Sequence, residues 1–378
     1  MKKHFALLAS LTIVFNGFCQ PTTKSFMYDS INREYIEYVP AIYNDSTPVP
    51  LVICLHGLGD NMNNFTGIEM HAVADTANFI VVTPQAIVDN IITGSTAWNS
   101  GASSYGFEIN ENIDDVGFLS ALIDTVSANY NIDTGRVYVT GFSLGGFMSN
   151  RLACELNAKI TAIASVAGTI GTALNCNPGR AVPVCHFHGT LDQQVQYTGN
   201  PFGIDTENLI NYWVTNNNCD TIPVHTPLPD LVADGYTIDH FLYQNGDNST
   251  EVEFYKVTGA DHEWLWYPNN DISYTTEIWK FFLKHQPTPI ILTNDLTKRT
   301  TINIYPNPNS GTFYIEAGNI SSSKSKIEVY DLYSRMIFEK NIQSNMSMID
   351  LYIDIPKGVY ILKLLQSGKY IVAKLIIN

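Results

Sequence analysis

The stretch Arg136-Val-Tyr-Val-Thr-Gly-Phe-Ser143-Leu-Gly-Gly-Phe-Met-Ser-Asn150 decides how the chain is read. Arg136 to Thr140 has the composition of a strand, and Leu144 to Glu155 reads as a helix. Between them, Gly141-Phe-Ser143-Leu-Gly145 has the G-x-S-x-G spacing of a nucleophile elbow. A turn that sharp leaves no room for side chains beside the serine, so glycines stand there. It exposes the serine oxygen, and the helix start adds partial positive charge near any anion that forms.

The rhythm continues on both sides. Leu51-Val-Ile-Cys-Leu55 and Phe79-Ile-Val-Val-Thr83 are continuous apolar runs, as strands buried on both faces require. Asp114 to Tyr130 carries Val116, Leu119, Leu122, Ile123 and Val126 at helical spacing, with Asp114 or Asp115 placed as the cap. Ile160 to Val166, Val182 to Phe187 and Glu251 to Val257 read as strands, and Glu207 to Thr215 and Glu277 to His285 as helices. Strands alternating with helices predict an α/β class domain with a mostly parallel sheet covered on both faces. Residues 86–113 break the pattern, being rich in Asn, Ser, Gly and aromatics. They predict a long loop that rims a site.

A serine hydroxyl needs a base to take its proton, usually a histidine oriented by a carboxylate. On a strand-turn-helix elbow these follow in the order Ser, acid, His. Asp192 comes in the loop after the strand Val182 to Phe187, and His262 comes just after Glu251 to Val257. Ser143, Asp192 and His262 are therefore the expected catalytic residues. The oxyanion of a tetrahedral intermediate needs preorganised N–H donors. Leu144, after the nucleophile, and Leu58, after Leu55-His56-Gly57, are the expected backbone sources. His186-Phe-His188 could hold a metal, but no third ligand stands nearby, so none is expected. Asp239-His240 reads as a structural pair. Trp98 in the long loop, with Trp264 and Trp266 after His262, is expected to line a substrate site, since aromatic faces stack on planar acids and sugars.

Five segments taken in order match a known group: Leu55-His56-Gly57, Asp114-Asp-Val-Gly-Phe118, Gly141-Phe-Ser-Leu-Gly-Gly146, His188-Gly-Thr-Leu-Asp192 and Gly259-Ala-Asp-His262. Over residues 25–286 the chain resembles the poly(3-hydroxybutyrate) depolymerase-like and feruloyl esterase group, related to family 1 carbohydrate esterases. The resemblance implies an α/β-hydrolase fold and a secreted serine esterase with no cofactor. Where that group often has Val-Pro-Tyr after the acid, this chain has Val195-Gln-Tyr197. Trp264 keeps the tryptophan that commonly follows the histidine by two. The departure leaves the triad intact and bears on substrate choice.

The ends carry other signals. Lys2 and Lys3, the apolar run Phe5 to Phe15 and Gly17-Phe-Cys19 read as a signal peptide over 1–19, cut before Gln20. No later run is long and apolar enough to predict a membrane span. Five cysteines follow: Cys54, Cys154, Cys176, Cys185 and Cys219. Export permits disulfides. Cys154 with Cys176, or Cys185 with Cys219, could pair, and Cys54 reads as a core residue. Residues 20–290 hold 9 Lys+Arg against 29 Asp+Glu, whereas 291–378 hold 10 against 7. That shift argues for two modules. An acidic surface disfavours nucleic acid and anionic lipid.

The expected layout is a catalytic domain over 20–286, a linker over 287–300 and a small all-β sandwich over 301–378. In the last, short alternating segments are punctuated by Gly, Asn, Pro and Ser. Tyr305-Pro-Asn-Pro-Asn-Ser-Gly-Thr-Phe, Lys357-Gly-Val-Tyr-Ile-Leu-Lys and the terminal Lys374-Leu-Ile-Ile-Asn resemble the C-terminal sorting domains of type IX secretion. That resemblance implies secretion machinery as a partner and an extracellular or surface location. The expected activity is ester hydrolysis on feruloyl, acetyl or hydroxyalkanoate esters. A peptidase on the same fold, or a glycan-binding protein without turnover, are the other readings.

Overall fold

A computed structural model describes residues 20–286 and, in the C-terminal region, 302–317, 325–331, 335–342, 348–366 and 369–378. The expected signal peptide (1–19) and linker (287–300) lie outside the described residues. The chain divides into two compact units, Met1–Pro289 and Ile290–Asn378.

The first unit is organised by one ten-stranded sheet. In chain order its strands are β1 (Thr22–Tyr28), β2 (Ile31–Tyr38), β3 (Val49–Leu55), β4 (Ile80–Pro84), β5 (Ile132–Phe142), β6 (Ala162–Val166), β7 (Val184–Gly189), β8 (Val224–Pro227), β9 (Thr237–Tyr243) and β10 (Val252–Thr258). Across the sheet they run β1-β2-β4-β3-β5-β6-β7-β10-β9-β8. The six from β4 to β10 are parallel. β1 and β2 extend one edge and β9 and β8 the other, all antiparallel. Strand–helix alternation does not reveal these edge strands, because hairpins rather than helices join them.

The apolar run in β3 shows why the sheet must be covered twice. Leu51, Ile53 and Leu55 enter one buried cluster, and Val52 and Cys54 enter another. Successive side chains point to opposite faces, so an unbroken apolar run needs a core on each. Helices α2 (Asp115–Asn129), α3 (Leu144–Glu155) and α4 (Thr206–Asn216) supply Phe118, Phe147 and Trp213 to the first cluster. Helices α1 (Met70–Ala77) and α5 (Tyr274–Lys284) supply Met70, Trp279 and Phe282 to the second. Asp114 is the cap of α2, accepting the Gly117 N–H at 2.8 Å. Its neighbour Asp115 turns inward and pairs with buried Arg33 at 2.6 Å.

Cys154 and Cys176 form a disulfide, with Cα atoms 5.1 Å apart. Cys54, Cys185 and Cys219 are buried free thiols, so the alternative Cys185–Cys219 pair is not made. Asp239 and His240 do not pair with each other. Adjacent strand residues face opposite ways, so Asp239 binds His225 at 2.7 Å and His240 binds Glu253 at 2.8 Å.

The second unit has two antiparallel sheets. One holds Ile302–Tyr305, Thr312–Ala317 and Met348–Tyr352, and the other Met336–Ile342, Ser325–Tyr330, Gly358–Gln366 and Lys369–Ile377. Phe313, Ile315, Val329, Leu351 and Leu362 share their buried cluster. No helix among the described residues is long and apolar enough to cross a membrane.

His71 and His285 each bury an Nε2 atom with no hydrogen-bond partner among the described residues. Burial is the dominant cause that lowers both from 6.5 to about 4. The unfolded chain therefore binds more protons than the folded chain between those values, so stability falls as pH drops through that window. Urea midpoints should fall between pH 7 and pH 4.5, and a His71→Phe/His285→Phe double variant should flatten that dependence. An unchanged slope would contradict the account.

Candidate active site

Ser143, Asp192 and His262 follow β5, β7 and β10, and Leu58 follows β3. All four lie past the carboxyl ends of parallel strands, where open α/β sheets bind ligands. The turn at Ser143 is as tight as the glycines imply. Its backbone has φ 54° and ψ −122°, a region that L-residues rarely occupy. A β-carbon on Gly141 would come within 2.2 Å of the Gly145 carbonyl oxygen, and one on Gly145 within 2.0 Å of the Leu55 carbonyl oxygen. The Ser143 N–H donates to the Val166 carbonyl at 2.9 Å, which ties the elbow to β6.

His262 Nδ1 lies 2.8 Å from Asp192 Oδ2. The other carboxylate oxygen accepts the Gln194 and Val195 N–H groups, each at 2.8 Å. Burial alone would raise the Asp192 pKa. Hydrogen bonds from His188 and His262 and from the Val195 N–H outweigh it, and the carboxyl is held well below the usual range. An ionised Asp192 fixes the proton of His262 on Nδ1 and leaves Nε2 as the basic nitrogen. The ring also packs on Phe142, with centroids 4.7 Å apart. His262 and Ser143 line one cavity of about 280 Å³. No hydrogen bond joins their side chains among the described residues, and such contacts often tighten only when substrate is bound.

Leu58 and Leu144 line the same cavity, and neither N–H has an acceptor among the described residues. His56 controls the first of these. The Ala86 N–H sits 3.1 Å from His56 Nε2 and can only donate, so Nδ1 carries the proton and donates to the Gly57 carbonyl at 2.8 Å. That carbonyl and the Leu58 N–H share one planar peptide and point opposite ways. Holding one aims the other.

Two residues outside the sequence-based set shape the site. Asp261 Oδ1 accepts the N–H groups of Gln193 and His262, each at 2.8 Å, and so straps the acid loop to the histidine loop. Phe202, with Phe142 and Phe147, gives the cavity aromatic walls. The Gly-Ala-Asp-His run held the signal for Asp261, but an adjacent acid looks idle until the loops are placed.

The tryptophans need correction. Trp98 has no exposed surface and its indole N–H donates to the His56 carbonyl at 2.9 Å, so it braces the His56-Gly57-Leu58 segment from behind and cannot touch substrate. Trp264 is buried, bonds Thr275 at 3.2 Å and packs edge-on to Phe142. Trp266 does not line the cavity; its backbone N–H is held by Asn270. The loop over 86–113 contributes Ile109 to the cavity. It also forms an open groove of about 550 Å³ lined by Ile87, Ile91, Tyr105 and Phe107.

Gly145→Ala should lower the melting temperature sharply or prevent folding, because backbone oxygens cannot yield to the new methyl group; overpacking typically costs about 1–3 kcal/mol or more. Gly67→Ala is the control, since nothing among the described residues lies within 4 Å of a β-carbon there. Equal melting temperatures for the two variants would refute the close packing of the elbow.

Residues 39–230 match the phospholipase/carboxylesterase family, and residues 303–378 match the secretion system C-terminal sorting domain. A probable feruloyl esterase C of Aspergillus terreus is 30% identical over 219 residues, covering 55% of this chain and 70% of that protein. Feruloyl esterase C of Emericella nidulans is 29% identical over 264 residues, covering 65% and 87%. A solved structure, the CE1 ferulic acid esterase of Anaeromyces mucronatus, is 15% identical with a TM-score of 0.45, over 73% of this chain and 93% of that one. The elbow at Ser143 thus belongs to a carboxylic-ester hydrolase of the phospholipase/carboxylesterase family, whose C-terminal sorting domain marks it for the cell surface or the exterior.

Proposed function

We propose that this esterase cleaves feruloyl or acetyl esters of plant polysaccharide through an acyl-Ser143 intermediate. The observation that carries the reading is the 2.8 Å contact of Asp192 with His262, beside the cavity that His262 shares with Ser143. The Ser143 hydroxyl attacks the ester carbonyl carbon while His262 Nε2 takes its proton. The carbonyl oxygen becomes an oxyanion, held by the Leu58 and Leu144 N–H groups. Collapse breaks the bond to the alcohol oxygen, which receives the proton from His262. Water then attacks the acyl carbon, gives its proton to His262, and releases the acid as Ser143 recovers its own. Asp192 keeps the imidazole in one tautomer throughout and stabilises its protonated form.

Phe142 and Phe202, the partly exposed rings of the cavity wall, favour a planar aryl acyl group over an aliphatic hydroxyalkanoate, because ring faces stack. The feruloyl esterase relatives support the same choice. In this reading residues 1–19 direct export, 20–286 catalyse, 287–300 link and 301–378 engage the secretion machinery.

Ser143→Ala should lower kcat/KM for p-nitrophenyl acetate by at least about 10³-fold. Methyl ferulate and acetylated xylan should be turned over faster than hydroxybutyrate oligomers. Unchanged turnover in Ser143→Ala would sink the acyl-enzyme. Peptide anilide cleavage without esterase activity would point to a peptidase, and xylan binding without turnover to a binding protein.

A further inference from the structure

Behind Asp192 lies a buried row of side chains that the steps above do not use. His186 and His188 are two apart on β7 and both are fully buried. His186 Nδ1 is 2.7 Å from Ser165 Oγ on β6, and its Nε2 is 3.1 Å from His188 Nδ1. His188 Nε2 is 2.7 Å from the Val195 carbonyl and 3.4 Å from Asp192 Oδ2. Thr206 Oγ1 lies 3.1 Å from His188 Nδ1.

The direction of this chain follows from its end. A carbonyl only accepts, so His188 Nε2 carries a proton. Burial, and then the neighbouring His188, keep His186 well below the usual imidazole range, so it is neutral with one proton. On Nε2 that proton satisfies both contacts: it is donated to His188 Nδ1, while His186 Nδ1 accepts the Ser165 hydroxyl. The row thus donates from Ser165 through both imidazoles to the Val195 carbonyl. The Val195 N–H in turn donates to Asp192 Oδ1. One short turn is gripped by His188 on its carbonyl side and grips the acid with its N–H side.

We propose that His188, backed by His186 and Ser165, is a positioning residue that sets where the Asp192 carboxylate stands against His262. This rests on the reading of Ser143, Asp192 and His262 as the catalytic triad. A carboxylate displaced by about 1 Å costs up to about 10²-fold in rate without changing what the cavity binds.

The test is kcat and KM on p-nitrophenyl acetate with the full chain. His188→Leu removes the donor, whereas His188→Gln keeps an N–H within reach of the Val195 carbonyl. His188→Leu should lower kcat about 10–100-fold with KM within about 3-fold, and His188→Gln should recover most of the loss. In an Asp192→Asn background, His188→Leu should add less than about 2-fold, because no carboxylate is left to aim. A full-sized effect in that background, or unchanged kcat in His188→Leu alone, overturns the proposal. Asp192→Asn by itself is the separate control: if it leaves turnover intact, the triad reading fails instead. Should His188→Leu not fold, His188→Asn keeps a partner for His186, loses the Val195 bond, and is read by the same criteria.

Discussion

The left-handed backbone of Ser143 is the constraint from which the rest of the site follows. It persists because main chain crosses main chain with no room for a β-carbon: Gly141 against the Gly145 carbonyl, and Gly145 against the Leu55 carbonyl. That crossing locks β3, β5 and α3 together. In the sheet, Leu55 stands opposite Gly141, so the His56-Gly57-Leu58 segment leaves β3 beside the serine. A β-carbon on Gly57 would sit 3.3 Å from that of Ser143. The packing that exposes the hydroxyl also brings an N–H donor to the same cavity. Trp98, His56 and Ala86 then hold that donor segment from behind.

The acid side is built differently. Ser143 is set by backbone sterics, whereas Asp192 is set by hydrogen bonds in a place with little water. Burying a carboxylate is costly unless its oxygens are paired. Here both oxygens are paired: His262, with His188 3.4 Å away, faces one and two backbone N–H groups bind the other. Asp261 adds a strap between the two loops that carry Asp192 and His262. In a region with 29 acidic residues against 9 basic ones, this carboxylate owes its low pKa to local donors and not to any general positive field.

The central strands of the first unit and four of its helices, α2 to α5, were legible because each depends on its own residues, whereas α1 (Met70–Ala77) was not foreseen. The apolar run in β3, the helical spacing in α2 and the glycines about Ser143 report local sterics and periodicity. The strands at the sheet edges were not legible. They alternate half-exposed residues across hairpins, and such patterns resemble loops until a partner strand is present. Trp98 and Trp264 were misread for a related reason. Their aromatic faces suit a substrate, but exposure belongs to the folded surface, and both face inward.

Chain order alone determined the strand-serine-helix turn, the α/β architecture and the residue types that could act as acid and base, since these follow from spacing along one polymer. Tertiary structure decided what met what. It joined Cys154 to Cys176, put Phe202 into the cavity wall and Trp98 behind it, and set two histidines of one strand between Ser165 and Val195. Those outcomes depend on distances between segments remote in the chain. Strand order and sheet twist set such distances, and residue spacing does not carry them.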